Sequence, residues 1–254
     1  MPPLLESVPN FSEGRRPKVI EAITGSMLRV EGVHLLGSEM DHDHNRAVVT
    51  LAGEAGPLED ALLAGAAEAI RRIDLNRQHG QHPRIGAMDV CPLVPLGDTP
   101  MELAIESARR LATRLGDELS LPAFLYEMAA ERAEKVDLAS LRRGGFEGLG
   151  QTGELRPDRG PSSLHPTAGA TAVGARFYLL AYNINLGTEN LRVAKKIAAQ
   201  IRERDGGLPK VKALGFRLQK RGMVQVSMNL CDYRITGLGR VYDAVRELAS
   251  SAGV

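Results

Sequence analysis

The densest run of chemically capable side chains reads Gln81-His82-Pro83-Arg84-Ile85-Gly86-Ala87-Met88-Asp89-Val90. His82 falls in a loop punctuated by Gly80 and Pro83 that leads into an apolar run, where a side chain can be held without helix packing. An imidazole, with its ordinary pKa of about 6.5, can both accept and donate a proton near neutrality. Arg84 can grip a carboxylate through two parallel hydrogen bonds. The same residues also suit a solvated loop carrying His79 and His82 with no chemistry attached. A second cluster holds Glu39, Asp41, His42, Asp43, His44, Asn45 and Arg46. Alternating Asp and His are competent ligands for a divalent cation, but no paired cysteines accompany them and their spacing matches no zinc motif, so no metal is expected. A polar turn presenting Asn45 and Arg46 to a substrate carboxylate is an equal reading, and a hydrophilic hairpin loop is a third.

A third segment is rich in small residues: Gly160, Pro161, Ser162, Ser163, Leu164, His165, Pro166, Thr167, Ala168 and Gly169, continuing to Arg176. Small side chains let backbone approach a ligand closely, and hydroxyls and free N–H groups supply hydrogen bonds. The segment is neither a G-x-G-x-x-G fingerprint nor a Walker loop, which argues against a nucleotide phosphate site. Ordinary turns and a tight strand entry account for it equally well. Asn183 and Asn185, two positions apart, share one face of a predicted strand, with Asn229 near the end of another. Amides of this kind recognise flat heterocycles with paired donors and acceptors, such as a pterin, and they also cap strands.

The elements that must position these groups follow from apolar periodicity and turn residues. A strand over 4–8, a helix over 17–30 with Pro17 at its first position, strands over 33–36 and 47–51, a helix over 58–73 and a strand over 88–96 make a β-α-β-β-α-β unit of the ferredoxin-like kind. A helix over 100–115 follows, then a stretch from 121 to 160 with a short strand, a charged helix over 127–135 and a glycine-rich loop. Strands over 177–184, 211–218 and 223–230 and helices over 189–204 and 236–249 repeat the first five elements, β-α-β-β-α, without a final strand. The fold class is α/β, grading into α+β: two ferredoxin-like subdomains with mixed or antiparallel sheets covered by helices, over residues 1–175 and 176–254.

At 254 residues the chain exceeds one typical domain of about 150 and can bury a core without metal or disulfides. Its 27 glycines exceed the usual share of about 7% and cluster in the loops described above. The net charge of +1 hides an asymmetry: residues 176–254 sum to +8 and the preceding 175 to −7. The last third is thus expected to meet an anionic ligand, although two oppositely charged halves that attract each other would look the same. With no Trp and only 4% aromatics, stacking platforms for nucleic acid are scarce. Two distant cysteines and no leader-like segment point to a reducing cytoplasmic setting, and no apolar run is long enough for a membrane span.

Five segments taken in order resemble the formiminotransferase (glutamate formimidoyltransferase) family, which includes the transferase half of formiminotransferase-cyclodeaminase. They are Val8-Pro9-Asn10-Phe11-Ser12-Glu13-Gly14, Gly80-Gln81-His82-Pro83-Arg84-Ile85-Gly86-Ala87-Met88-Asp89-Val90-Cys91-Pro92, Gly160-Pro161-Ser162-Ser163, Gly169-Ala170-Thr171-Ala172-Val173-Gly174-Ala175-Arg176 and Asn183-Ile184-Asn185-Leu186. The resemblance spans essentially the whole chain. It implies transfer of the formimino group from N-formimino-L-glutamate to N5 of tetrahydrofolate in histidine degradation, within a fold of two α/β subdomains that hold the folate in a positively charged tunnel. His82 matches the family's catalytic histidine, and residues 160–169 match its folate-binding stretch, with Asn183 and Asn185 as further folate contacts. On this reading Asp41 or Glu39 orients the amidinium or the imidazole, while Arg46 and Arg84, with Asn45, meet substrate carboxylates. Family members continue past residue 254 with another strand and a helix, so the second subdomain is expected to lack both. A homodimer is expected, with a separate cyclodeaminase as a candidate partner. Formylglutamate as the donor is an alternative, and a folate-binding protein without full turnover is another.

Overall fold

Proline at position 9 breaks the opening strand in two, because it offers no backbone N–H to a ladder. The computed structural model of the chain describes residues 2–42, 44–80, 83–149, 156–218 and 221–254. In it the pieces β1 (Leu5–Ser7) and β2 (Asn10–Phe11) act as one composite strand. Both pair antiparallel with β4 (Arg46–Gly53) on one side and β5 (Met88–Pro95) on the other. Beyond β4 lies β3 (Val33–Asp41) at the edge. Helix α1 (Pro17–Met27) joins β2 to β3, and α2 (Ala55–Arg72) joins β4 to β5. This is the predicted β-α-β-β-α-β unit, its first strand central and its second at the edge.

Two parallel strands extend that sheet. β7 (Thr171–Ala175) pairs with β5, and β6 (Ala123–Glu127) pairs with β7. Helix α3 (Met101–Leu119) connects β5 to β6 and buries Ala104, Ala108, Leu111 and Leu115. β5 is buried along all but its last residue, as a continuous apolar strand covered on both faces should be. Two short helices, α4 (Leu138–Leu141) and α5 (Gly145–Leu149), set Leu138, Leu141 and Leu149 against a cluster that includes Val90, Phe124 and Tyr126. Along β4 burial alternates, with Ala47, Val49, Leu51 and Gly53 buried and Arg46, Val48, Thr50 and Ala52 half-buried, so the second face of this part of the sheet stays open.

Two segments differ from expectation. The charged helix predicted over 127–135 is absent: Glu127 has φ 50, which ends β6, and only a single 3₁₀ turn forms at Ala133–Lys135. Lys135 is pulled inward there, its Nζ 3.0 Å from Asp158 Oδ2. The small-residue segment before Arg176 contains a fully buried strand, β7.

Contacts divide the chain into Met1–Arg176 and Phe177–Val254. The second unit holds β8 (Leu180–Leu186), α6 (Leu191–Ile201), β9 (Val211–Leu218), β10 (Met223–Leu230) and α7 (Leu238–Ser251). Its three-stranded antiparallel sheet has the order β8-β10-β9. Val224, Val226 and Met228 face a core shared with Ile197, Val241 and Val245 from the helices. Asn190 caps α6, its Oδ1 accepting from Arg192 N at 3.1 Å. Among the described residues no strand occupies the other edge of β8.

Candidate functional site

Gly80 marks how closely the loops of the first unit cross. A Cβ on it would stand 2.2 Å from the carbonyl oxygen of His44, so a side chain there would force the two loops apart. Asn45 fastens the crossing. With φ 49 and 6% exposure, it accepts from Gly14 N at 2.8 Å through Oδ1 and donates to the His79 carbonyl at 3.0 Å through Nδ2. Its own carbonyl accepts from Gln78 Nε2 at 2.8 Å. Downstream, Arg84 Nη2 donates to the carbonyls of Leu75 (2.9 Å) and Gln78 (2.5 Å) and to Glu147 Oε1 at 3.0 Å. Gln81 and His82 lie outside the described residues, so the predicted catalytic histidine has no placement here. The residues on both sides of them are tied down.

Asp89 anchors the far end of this loop from within the core. It is fully buried; Oδ1 accepts from Ile85 N at 2.8 Å, while Oδ2 accepts from Arg46 Nη1 at 2.8 Å and Arg142 Nη2 at 2.5 Å. Burial by itself would raise its pKa, but the guanidiniums of Arg142 and Arg46 prevail and hold the carboxyl below its ordinary range. Arg46 also donates from Nε to Asn10 Oδ1 at 3.0 Å. Arg46 and Arg84, expected to meet substrate carboxylates, therefore engage their forks inside the protein and hold loops in register. Asn45 does likewise.

Glu39 and Asp41 stand two apart on exposed β3, so they share a face of the sheet. The register sets Asp41 opposite Arg46 and Glu39 opposite Val48, which is itself opposite Asn10. The predicted carboxylates thus lie on the open face beside Arg46. Asp41 Oδ1 also accepts from His44 N at 2.7 Å, shaping the polar turn. Asp43 lies outside the described residues. Among the described residues no three His, Cys, Asp or Glu side chains gather as metal ligands.

The small-residue segment divides into two parts. Gly160 abuts Gly116 near the end of α3, with Pro161 half-buried beside it and Ser162 and Ser163 exposed. Leu164 packs onto the cluster under α4 and α5. His165 through Gly169 form a tight turn, closed by mutual backbone hydrogen bonds of 2.9 Å between His165 and Gly169. His165 Nδ1 accepts from Ala168 N at 3.0 Å, which requires the neutral ring with its proton on Nε2, and burial lowers its pKa accordingly. This turn lies against the loop that carries His82: Leu75 N donates to the Thr167 carbonyl at 2.8 Å, and Asn76 Nδ2 to the Pro166 carbonyl at 2.9 Å. Ala87 N donates to the Ala168 carbonyl at 2.9 Å. Gly169, with φ 70, comes so close to Ile85 that a Cβ would stand 2.1 Å from its carbonyl oxygen.

In the second unit Asn183 and Asn185 do share an exposed face. Gln225 stands opposite Asn185 and opposite Phe216, and Ser227 opposite Asn183 and Leu214. Gln225 Nε2 donates to Asn185 Oδ1 at 2.8 Å, and Leu214 and Phe216 are exposed beside this amide row.

Sequence reasoning assigned no role to Asp89, Arg142, Glu13 or Glu147. A carboxylate inside the apolar run of β5 was the available signal for Asp89; Arg142 and Glu147 had none, being brought in by long-range packing, while Glu13 is held by its own neighbours Arg15 and Arg16. Cys91 does not compete for a nucleophilic role, because burial pushes its thiol up to about 12.

Comparison with known proteins bears on both units. A family model described as the formiminotransferase domain, N-terminal subdomain, matches residues 4–176, and one described as the formiminotransferase domain matches residues 181–254. The chain is 45% identical over 257 aligned positions to a glutamate formimidoyltransferase of Thermoplasma acidophilum, covering 99% of this chain and 84% of the relative. It is 40% identical to a glutamate formimidoyltransferase of Streptococcus pyogenes serotype M1, covering 100% of this chain and 86% of the relative. A formimidoyltransferase-cyclodeaminase of Sus scrofa is also 40% identical, over 96% of this chain and 46% of that longer protein.

Proposed function

Because the chain belongs to the formiminotransferase domain family, we propose that it is a glutamate formimidoyltransferase, moving the formimino group from N-formimino-L-glutamate to N5 of tetrahydrofolate. The observation that carries this reading is the 45% identity to a glutamate formimidoyltransferase across 99% of the chain, both units included. The reaction belongs to histidine degradation and one-carbon metabolism.

Tetrahydrofolate supplies the nucleophilic nitrogen that receives the group. The exposed residues of the second unit fit such a molecule: amides of Asn183, Asn185 and Gln225 offer donors and acceptors to a flat heterocycle, and Leu214 and Phe216 offer apolar surface alongside. The turn at residues 165–169, with Gly160, Pro161, Ser162, Ser163 and Leu164 ahead of it, is a folate-binding segment on this reading. His82 takes the proton released at the attacking nitrogen and returns one to the departing glutamate nitrogen. Asn45, Arg84 and Asp89 fix the segments on either side of it, and Asp41 or Glu39, on the open sheet face, orients the amidinium or the imidazole. Residues 1–175 and 176–254 act as the two subdomains of one transferase. The protein works in the cytoplasm as a homodimer and passes its product to a separate cyclodeaminase.

The test mixes the protein with tetrahydrofolate and N-formimino-L-glutamate and follows the absorbance of 5-formimino- and 5,10-methenyltetrahydrofolate. Product should appear with the wild type, and His82→Ala should lower kcat by about 10²-fold or more while folate affinity stays within a few-fold. No product from the wild type overturns the assignment, and product only from N-formyl-L-glutamate replaces it with a formyl transfer. An unchanged kcat in the variant removes His82 from the chemistry.

A further inference from the structure

Gln78 holds a buried acceptor that nothing among the described residues satisfies. Its side chain is 6% exposed and its Nε2 is committed to the Asn45 carbonyl, yet Oε1 is buried without a hydrogen-bond partner among the described residues. An unmet buried acceptor has lost its water without gaining a partner, which is a reason to look for an arriving donor. Gln78 and Asn45 line an open cavity of about 430 Å³, and Gln78 stands four residues ahead of His82.

The rest of the lining is strongly charged. Arg15, Arg16, Arg72 and Arg77 border the cavity together with Glu13 and Asp74, so positive charge exceeds negative by two. Both acids already have partners. Glu13, 2% exposed, accepts from Arg15 N at 2.8 Å, Arg16 N at 3.0 Å and Arg16 Nε at 2.5 Å. Asp74 accepts from Asn76 N at 3.0 Å and Asn76 Nδ2 at 2.9 Å. Arg72 is turned to Glu68, and Arg16 also donates to the Arg72 carbonyl at 3.1 Å. Two guanidiniums keep their forks available among the described residues. Arg15 donates only through Nε, to the His42 carbonyl at 3.0 Å, and Arg77 has only a long 3.5 Å pairing of Nε with Asp74.

A cavity with two available guanidinium forks, an excess of two positive charges and one unmet acceptor is complementary to a dicarboxylate bearing an N–H group. We infer that this cavity binds the two carboxylates of an N-substituted glutamyl group through Arg15 and Arg77, with Gln78 Oε1 accepting from its nitrogen. The inference rests on the transferase reading for its biological ligand. The same chemistry is presented by the glutamate of the formimino donor and by the glutamyl tail of folate.

Arg15→Gln and Arg77→Gln, both at exposed positions, test the site without removing core packing. Calorimetric titration of N-formimino-L-glutamate, and separately of mono- and polyglutamylated tetrahydrofolate, reads binding without requiring turnover. Each substitution should weaken one of these ligands by about tenfold or more, with Arg77→Lys recovering part of the loss through its charge alone. Weakened donor binding places the formimino donor in the cavity, and weakened binding of polyglutamylated folate alone places the folate tail there. Unchanged affinity for all three ligands overturns the inference. A wild type that binds donor through Arg77 yet transfers nothing defeats the transferase reading and leaves the site standing. Normal transfer with arginine-independent binding does the reverse.

Discussion

With its carboxylate buried between Arg46 and Arg142, Asp89 joins its own strand to two stretches of chain that lie 43 and 53 residues from it in sequence. Replacing it with Asn keeps the shape but removes the negative charge from between two side chains, each 12% exposed. Breaking a buried pair by removing one partner typically destabilises by about 3–5 kcal/mol, and urea unfolding of Asp89→Asn should show a loss of that size. The same residue sets an acid limit. Its folded pKa lies below the unfolded carboxylate value of about 3.9, so its stabilisation is complete above that value. It is lost as pH falls through the lower folded pKa, so this contribution should stay level from neutrality down to about pH 4 and then collapse. The wild-type and Asp89→Asn curves should converge only below that point; convergence near pH 6 would contradict the ion-pair account. Of this arrangement the sequence revealed the residues and not the pairing. Arg46 and Arg84 can each fork onto a carboxylate, and nothing local says that Asp89 and Glu147 stand within their reach.

Elements were more legible than contacts where one face was buried and the other open. The alternation in β4, and the helix of α1 opened by Pro17, follow directly from period and turn chemistry, and β9 and β10 match their expected limits of 211–218 and 223–230. Strand β7 was hidden because its residues, Thr171-Ala172-Val173-Gly174-Ala175, are small enough to read as loop. They are small because the strand is closed in on both sides: a Cβ on Gly174 would stand 2.5 Å from the ring of Tyr126, itself 2% exposed. Gly174→Val should therefore overpack this junction and destabilise by about 1–3 kcal/mol, a fall in Tm of roughly 3–10 °C for a protein this size. Hydrogen exchange locates the effect: protection should drop in β5, β6 and β7 and hold in β8 and β10, which belong to a separate core. A uniform loss across both units would show that β7 is not a local keystone. The missing helix over 127–135 has the opposite origin, since its charged residues suit a surface helix until Lys135 is drawn onto Asp158.

At the scale of the whole molecule, charge separates the two units more sharply than fold does. Residues 176–254 carry 14 basic and 6 acidic side chains, while the first 175 are net negative, and composition alone could name the sign of a ligand without naming the ligand. The proposed co-substrate supplies it, because each added glutamyl group increases the negative charge of folate. Attraction spread over many surface charges is screened within a Debye length of about 10 Å at 0.1 M salt, whereas short contacts inside a site are screened far less. Raising salt from about 20 mM to about 300 mM should therefore lower kcat/KM for polyglutamylated tetrahydrofolate several-fold while leaving kcat nearly constant. For the monoglutamate the fall should be smaller, and for the formimino donor at saturating folate smaller still if short contacts dominate its binding. Steady-state kinetics with the three ligands across a salt series makes the comparison. A slope that is the same for mono- and polyglutamylated folate would mean that the basic surface of residues 176–254 does not read the glutamyl chain.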